Sequence, residues 1–195
     1  MPNYCDNSLH IQGNAERLKQ LTEELFVEKD GNYELTFDKI KPMPKELIEE
    51  GWYEWRVENW GTKWDADCYS YYSADDLQKF ADAGEMSVSF ATAWAPPLNF
   101  LQTLAKKYND LLIECHFIEV GCEICGTFIS DEQGIRAVNE DMVYTDEDGI
   151  IVNYNPEDGK YYYEDGTPYD DEDGDCYPTA SHPIDAFDAR KMRLF

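Results

Sequence analysis

Between Trp52 and Ala66 the chain reads Trp-Tyr-Glu-Trp-Arg-Val-Glu-Asn-Trp-Gly-Thr-Lys-Trp-Asp-Ala, with four tryptophans inside thirteen residues. Indole faces stack on flat ligands and attract cations, and the interleaved Arg56, Glu58, Asn59, Lys63 and Asp65 supply directional polar groups. With Trp55, Trp60, Trp64 and the more distant Trp94, these residues form a candidate platform for a small ligand, a nucleotide or a partner. The competing reading is structural: the rings cover an open sheet face, and Arg56 and Lys63 pair with nearby acids.

Other chemistry-bearing residues give less. Cys122-Glu123-Ile124-Cys125 is a lone Cys-x-x-Cys, with Cys115 and His116 nearby. Zinc needs four convergent ligands, usually from two such pairs. Adjacent strand residues such as Cys115 and His116 point to opposite faces, and a redox pair belongs at a helix start. Buried or edge thiols are the expectation, and no metal ligand is assigned. His10, His116 and His182 are dispersed in sequence, and no serine or cysteine neighbour suggests a nucleophile. Phosphate-loop and dinucleotide glycine patterns are absent. No catalytic residue and no cofactor follow, so an enzyme is the less favoured class.

The acids carry the second candidate surface. The chain of 195 residues has 41 acidic and 16 basic residues, a formal charge of −25. Residues 131–175 hold 16 of the acids with only Arg136 and Lys160, or −14, whereas residues 1–130 carry −12 and residues 176–195 carry +1. Acid-Asp-Gly steps recur at 147–149, 157–159, 164–166 and 172–174 between β-branched and aromatic residues, which signals hairpins with acidic tips. Ile150–Tyr154 and Lys160–Tyr163, joined by Asn155–Gly159, make the best hairpin. The expected partner surface comprises Asp146, Glu147, Asp148, Glu157, Asp158, Glu164, Asp165, Asp170, Asp171, Glu172, Asp173 and Asp175. An EF-hand is excluded: five residues before each of these glycines stands a tyrosine (144, 154, 161, 169), not an oxygen ligand.

Such charge disfavours direct nucleic-acid binding, which needs clustered Lys and Arg, and adhesion to anionic membranes. No apolar run reaches the roughly 18–20 residues of a membrane span, and Met1 to Asn7 lacks signal-peptide features. A cytoplasmic protein with reduced thiols is expected.

The elements that must position these groups follow from periodicity. Ser8–Gln12 alternates as a strand; Asn14 caps a helix with Leu18, Leu21, Leu25 and Phe26 on one face, running to Lys29 and stopping at Gly31. Tyr33, Leu35 and Phe37 alternate as a second strand, and Met86, Val88 and Phe90 as a third. Pro96-Pro97 opens a helix carrying Leu101, Leu104, Ala105 and Tyr108, and Leu111 to Glu119 is a fourth strand, with a fifth at Cys125–Ile129. Two β-α-β halves imply an α+β, ferredoxin-like βαββαβ fold: an antiparallel sheet with two helices on one face. Residues 1–130 form that domain, with a long Trp-rich insertion at 41–85 between strands 2 and 3. The insertion holds a short helix at Pro44–Glu50 and a capping box at Ser73 to Asp76. Residues 131–195 form an acidic β-hairpin extension. Its last segment, Ile184 to Phe195, is amphipathic and docks on the body or makes a homodimer contact.

Met1-Pro2-Asn3-Tyr4-Cys5 with Asn7 and Leu9, Lys41-Pro42-Met43-Pro44, Glu58 to Ala66, and Phe90 to Pro97 resemble the YubB-like proteins of plasmids and phages, as do Glu119, Gly121 and Gly126. The resemblance covers about residues 1–130 and implies a ferredoxin-like domain of mobile-element origin; it implies no activity. The leading expectation is therefore a non-enzymatic mobile-element accessory protein in a bacterial host. Its acidic surface would bind a basic host protein, as a DNA mimic inhibiting a defence or nucleic-acid-binding factor. The alternative is a small-ligand or nucleotide-binding domain on the tryptophan platform, or an uncharacterised enzyme at that site.

Overall fold

The computed structural model describes residues 3–140, 142–146, 150–169 and 179–181. The chain divides into two compact units, Met1–Glu140 and Asp141–Phe195.

The first unit is built around β1 (Tyr4–Gln12). It pairs antiparallel with β5 (Glu85–Ala93) on one side and β6 (Leu112–Glu119) on the other. β5 and β6 therefore run parallel to each other with β1 between them, and α4 (Leu98–Lys107) makes the crossover. This split β-α-β is the unit from which ferredoxin-like sheets are built. β7 (Ile124–Asp131) and β8 (Gly134–Glu140) continue as a meander beside β6, and β4 (Asp67–Cys68) closes the far edge. The six-stranded order is β4-β5-β1-β6-β7-β8. Residues 131–140, assigned by charge to the acidic extension, thus complete the first unit's sheet.

Period-2 alternation decides which face is buried. Cys5, Leu9 and Ile11 of β1, Met86, Val88 and Phe90 of β5, and Ile113, Cys115 and Phe117 of β6 share one face and are all buried. Against that face pack Leu18, Leu21 and Leu25 of α1 (Ala15–Leu25), Leu77 and Ala81 of α3 (Ala74–Ala83), and Phe100, Leu101 and Leu104 of α4. Each fully buried large apolar side chain contributes about 1.5–3 kcal/mol. The N-cap at Asn14 and the Ser73–Asp76 capping box form as the sequence implies.

The elements depart from the sequence pattern in two places. The first helix stops at Leu25 instead of Lys29, and the following residues form β2 (Phe26–Lys29), paired with β3 (Asn32–Leu35) in a hairpin of its own. Asp30 and Gly31, at φ 52° and 83°, are its two turn residues, the positive-φ pair that a two-residue hairpin requires. The alternating Tyr33–Leu35 segment therefore stays out of the main sheet, and β4 takes the place beside β5. The second concerns the insertion: the short helix expected at Pro44–Glu50 is only a 3-10 turn at Lys45–Leu47, and α2 (Trp52–Trp60) instead occupies the Trp-rich segment, so that among the described residues four α-helices accompany the sheet.

The second unit contains a four-stranded antiparallel sheet, order β11-β10-β9-β12, from β9 (Val143–Thr145), β10 (Ile151–Asn155), β11 (Lys160–Tyr163) and β12 (Thr179–Ser181). β10 and β11 pair from Val152↔Tyr163 to Asn155↔Lys160, and the Gly159 amide closes the turn on the Asn155 carbonyl at 2.9 Å. Asp146 is not part of an exposed acidic surface. It is buried, and it accepts from the Ile150 amide at 2.8 Å and the Tyr163 hydroxyl at 2.9 Å.

Candidate functional site

The tryptophan block is drawn to the sheet end by loop–loop hydrogen bonds. Thr62 donates its hydroxyl to the Ala93 carbonyl at 3.0 Å, and Thr92 donates to the Ala95 carbonyl at 2.8 Å. Gly61, at φ 89°, lies so close to the start of α4 that a Cβ there would sit 3.1 Å from the Leu98 nitrogen. The Asn99 side chain donates to the Glu58 carbonyl at 2.9 Å, tying α4 to the last turn of α2. The segments Asn59–Ala66 and Phe90–Pro97, separated by a helix and a strand in sequence, meet through these contacts.

Within this cluster the expected platform divides. Trp60 is fully buried, its ring edge-on to Phe37 and to Trp55 at 5.7 Å in each case, and its Nε1 donates to the Lys41 carbonyl at 3.0 Å. Asp65 is also structural: it accepts from the Thr36 hydroxyl and the Phe37 amide at 2.6 Å each and from the Ala66 amide at 2.8 Å. Burial pushes its carboxyl up, while these hydrogen bonds oppose the shift. Asn59 donates to the Trp55 carbonyl at 2.8 Å inside α2, and Glu58 is exposed on that helix. Half-buried Trp55 backs Trp60 instead of facing solvent.

The remaining residues form a surface. Trp64 is 38% exposed and Trp94 47% exposed, and the Lys63 ammonium stands 4.1 Å from the centre of the first ring and 5.5 Å from that of the second. Behind them the Arg56 guanidinium lies over Trp60 at 5.0 Å and Trp52 at 5.4 Å. Trp94 has φ 72°, in the left-handed region. Its amide donates to the Asn3 carbonyl at 2.9 Å, which helps hold it there. Left-handed backbone costs a residue with a Cβ about 1–2 kcal/mol. Trp94→Gly should therefore be about 1 kcal/mol more stable than Trp94→Ala, since both lose the indole and only Gly escapes the clash. Equal urea midpoints for the two variants would contradict that backbone assignment.

A second polar cluster was not legible as one, because its members are far apart in sequence. On the sheet face opposite the core, the β1–β6 register sets Ser8 against His116 and His10 against Glu114. The histidines called dispersed therefore meet, with ring centres 6.1 Å apart; His182 lies outside the described residues. Ser8 Oγ and His10 Nε2 are 3.1 Å apart. Thr127 donates its hydroxyl to Glu140 Oε1 at 2.8 Å, so the contact of His116 Nδ1 with Thr127 Oγ1 at 3.0 Å is an N–H donation by the imidazole. Glu114 Oε1 lies 3.0 Å from His116 Nε2 but outside directed hydrogen-bond geometry. Burial, then the neighbouring His116, push the His10 imidazole below its ordinary 6.5, with Glu114 opposing. The folded chain thus binds this proton less readily than the unfolded one. The His10 contribution to stability is complete above its unfolded pKa and is lost as pH falls through the folded value. Urea titrations should show a smaller loss between pH 7 and pH 5 for His10→Gln than for the wild type; identical slopes would refute this.

The five cysteines among the described residues are thiols, not disulfides, and Cys176 lies outside those residues. Burial pushes Cys5 up to about 12 and Cys68 to about 11, and it also raises buried Cys115. Cys125 is buried with Sγ 3.0 Å from the Glu140 carbonyl, whereas Cys122 is exposed and its thiol is raised by the Glu119 carboxylate. Among the described residues no three His, Cys, Asp or Glu side chains converge as a metal site. No described helix is long and apolar enough to cross a membrane.

Of the acidic surface, Glu157, Asp158, Glu164 and Asp165 are exposed at the turns flanking β11. Asp158 is held below the usual carboxylate range by the Tyr162 hydroxyl, and Asp165 by the Thr167 amide. Glu147, Asp148, Asp170, Asp171, Glu172, Asp173 and Asp175 lie outside the described residues.

An antiparallel sheet with a split β-α-β crossover and helices on one face defines a ferredoxin-like α+β protein. Residues 69–177, more than half of the chain, match the family model described as the ferredoxin-like domain in Api92-like protein, and the chain belongs to that family. No curated protein and no solved structure matches it. The matched stretch includes Trp94 and the whole of β5 to β11; the block from Trp52 to Ala66 precedes it.

Proposed function

We propose that this chain is a binding protein whose recognition surface is the Trp64–Lys63–Trp94 cluster, engaging a ligand or partner through a flat ring beside an anionic group. The observation that carries the reading is Trp94: a bulky indole kept in left-handed backbone and left 47% exposed. Backbone strain that persists in a folded protein clusters at functional sites. Lys63 between the two rings adds a directed positive charge. The test uses the five indole N–H resonances of the 15N-labelled full chain against a panel of aromatic acids, nucleosides, nucleotides, sugars and short peptides. Binding here shifts Trp64 and Trp94 first and leaves Trp60 in place. A panel that moves neither exposed indole, or moves other residues first, removes the reading.

A second reading keeps the acidic unit as the partner surface: a basic host protein, such as a nuclease or defence factor, would bind it as it binds DNA. Support comes from the exposed Glu157, Asp158, Glu164 and Asp165 at consecutive turns, and from −14 within residues 131–175. Complementary charge accelerates encounter and makes binding salt-sensitive. The resemblance of residues 1–130 to YubB-like proteins supports a plasmid or phage origin and action in the bacterial cytoplasm. Pull-downs from host lysate at low and high salt decide it; recovery of no basic partner at low salt sinks the mimic.

A further inference from the structure

We infer that the ligand of the Trp64–Lys63–Trp94 cluster is a small ring-bearing anion of the mononucleotide class, and not a nucleic-acid strand. The inference rests on the recognition surface proposed above and adds the ligand's chemistry.

The first support is the pairing of cations. Arg17 holds Asp110 through two hydrogen bonds of 2.6 and 2.8 Å, and Arg136 holds Asp131 through two of 2.7 Å. Arg56 and Lys63 have no carboxylate within ion-pair distance among the described residues. Lys19, Lys39, Lys41, Lys45, Lys106 and Lys160 likewise lack one, so that absence is not what singles these two out. Instead, each is held on a pair of tryptophan faces, Arg56 on Trp52 and Trp60, Lys63 on Trp64 and Trp94. Arg56 Nη1 reaches the Lys63 carbonyl only at 3.5 Å, and its Nε is buried without a partner. Both cations therefore keep donors unspent. An anion is the complementary group, and charge-assisted hydrogen bonds are the strong ones.

The second support is the rings. The Lys63 ammonium lies over a face of each exposed indole, so a planar ligand stacks on the remaining exposed surface of Trp64 or Trp94 while its anion meets the ammonium. Stacking on an indole tolerates any flat ring.

The third is the range of the protein's charge. At physiological salt the screening length is about 8 Å. A mononucleotide's phosphate placed at Lys63 lies within that distance of the Lys63 ammonium, and Arg56 reaches the Lys63 carbonyl at 3.5 Å. A strand extends past the screening length and meets a protein of charge −25, without the Lys and Arg needed to neutralise successive phosphates.

The experiment is fluorescence and calorimetric titration of the full chain with AMP, adenosine, inorganic phosphate and an eight-nucleotide single-stranded DNA at 0.15 M salt. AMP should bind saturably, with adenosine and phosphate each roughly tenfold or more weaker. Lys63→Gln, a change at a half-buried side chain, should bring AMP to the adenosine level, and Trp94→Ala should weaken both. The octamer should bind more weakly than AMP. Equal binding of AMP and adenosine, an unchanged AMP affinity in Lys63→Gln, or tighter binding of the octamer overturns the inference. If AMP fails while a neutral ring shifts the Trp64 and Trp94 indoles, the anion is wrong and the surface stands. If nothing shifts them, both fall.

Discussion

Trp60→Ala lowers the unfolding free energy by about 3–5 kcal/mol, the range for removing a buried Trp, whereas Trp64→Ala costs about 1 kcal/mol or less. The difference follows from burial: Trp60 is 0% exposed and Trp64 38%. Truncating Trp60 also leaves the Lys41 carbonyl without its Nε1 donor, removes the edge contact to Phe37 and strips Arg56 of one of its two ring supports. Urea unfolding followed by far-UV circular dichroism measures all of this, with the midpoint of the first unit as the readout. Similar costs for Trp60 and Trp64 would mean that the tryptophans act as one platform after all. The ligand readout should run the other way, with Trp64 and Trp94 dominating.

Gly126→Ala is the second large effect, at about 3 kcal/mol, the upper part of the range for overpacking. A Cβ at Gly126 would sit 2.2 Å from the Val138 carbonyl oxygen and 2.8 Å from Phe117 Cζ. The first of these atoms is backbone in the neighbouring strand, paired through Gly126↔Asn139, so relief requires opening the β7–β8 ladder. The usual gain of about 0.4–1 kcal/mol from replacing Gly with Ala in the unfolded chain is too small to compensate. Gly31→Ala gives the contrast: nothing lies within 4 Å of a Cβ there, so only its φ of 83° matters. Its cost should be about 1–2 kcal/mol. Thermal melts separating the two variants by several degrees support this, and equal melts refute it.

Much of the first unit was readable because it rests on local patterns. Alternation marked β1, β5 and β6, the Leu stripe marked α1, and Ser73 with Asp76 marked the start of α3. The hairpin of β2 and β3 was also written in the sequence, as Asp30-Gly31 between Val27 and Tyr33, but Gly31 serves equally well as a helix stop. Two local rules competed there, and the choice lay with packing. α2 was hidden for another reason: with tryptophans at 52, 55 and 60, its apolar residues mark no clear stripe.

The candidate sites show the same division. Sequence alone determined the residue types, the −25 charge and its concentration in residues 131–175, and the aromatic block with its cations. It could not assign the rings. Trp60 and Trp64 are four residues apart, yet the helix ends at Gly61, so one turns into the core and the other into solvent. Likewise His10 and His116 became neighbours only through strand register. The physical reason is common to both cases. Charge and side-chain chemistry belong to single residues, whereas burial and proximity are set by contacts between segments distant in the chain, and only the folded structure brings those segments together.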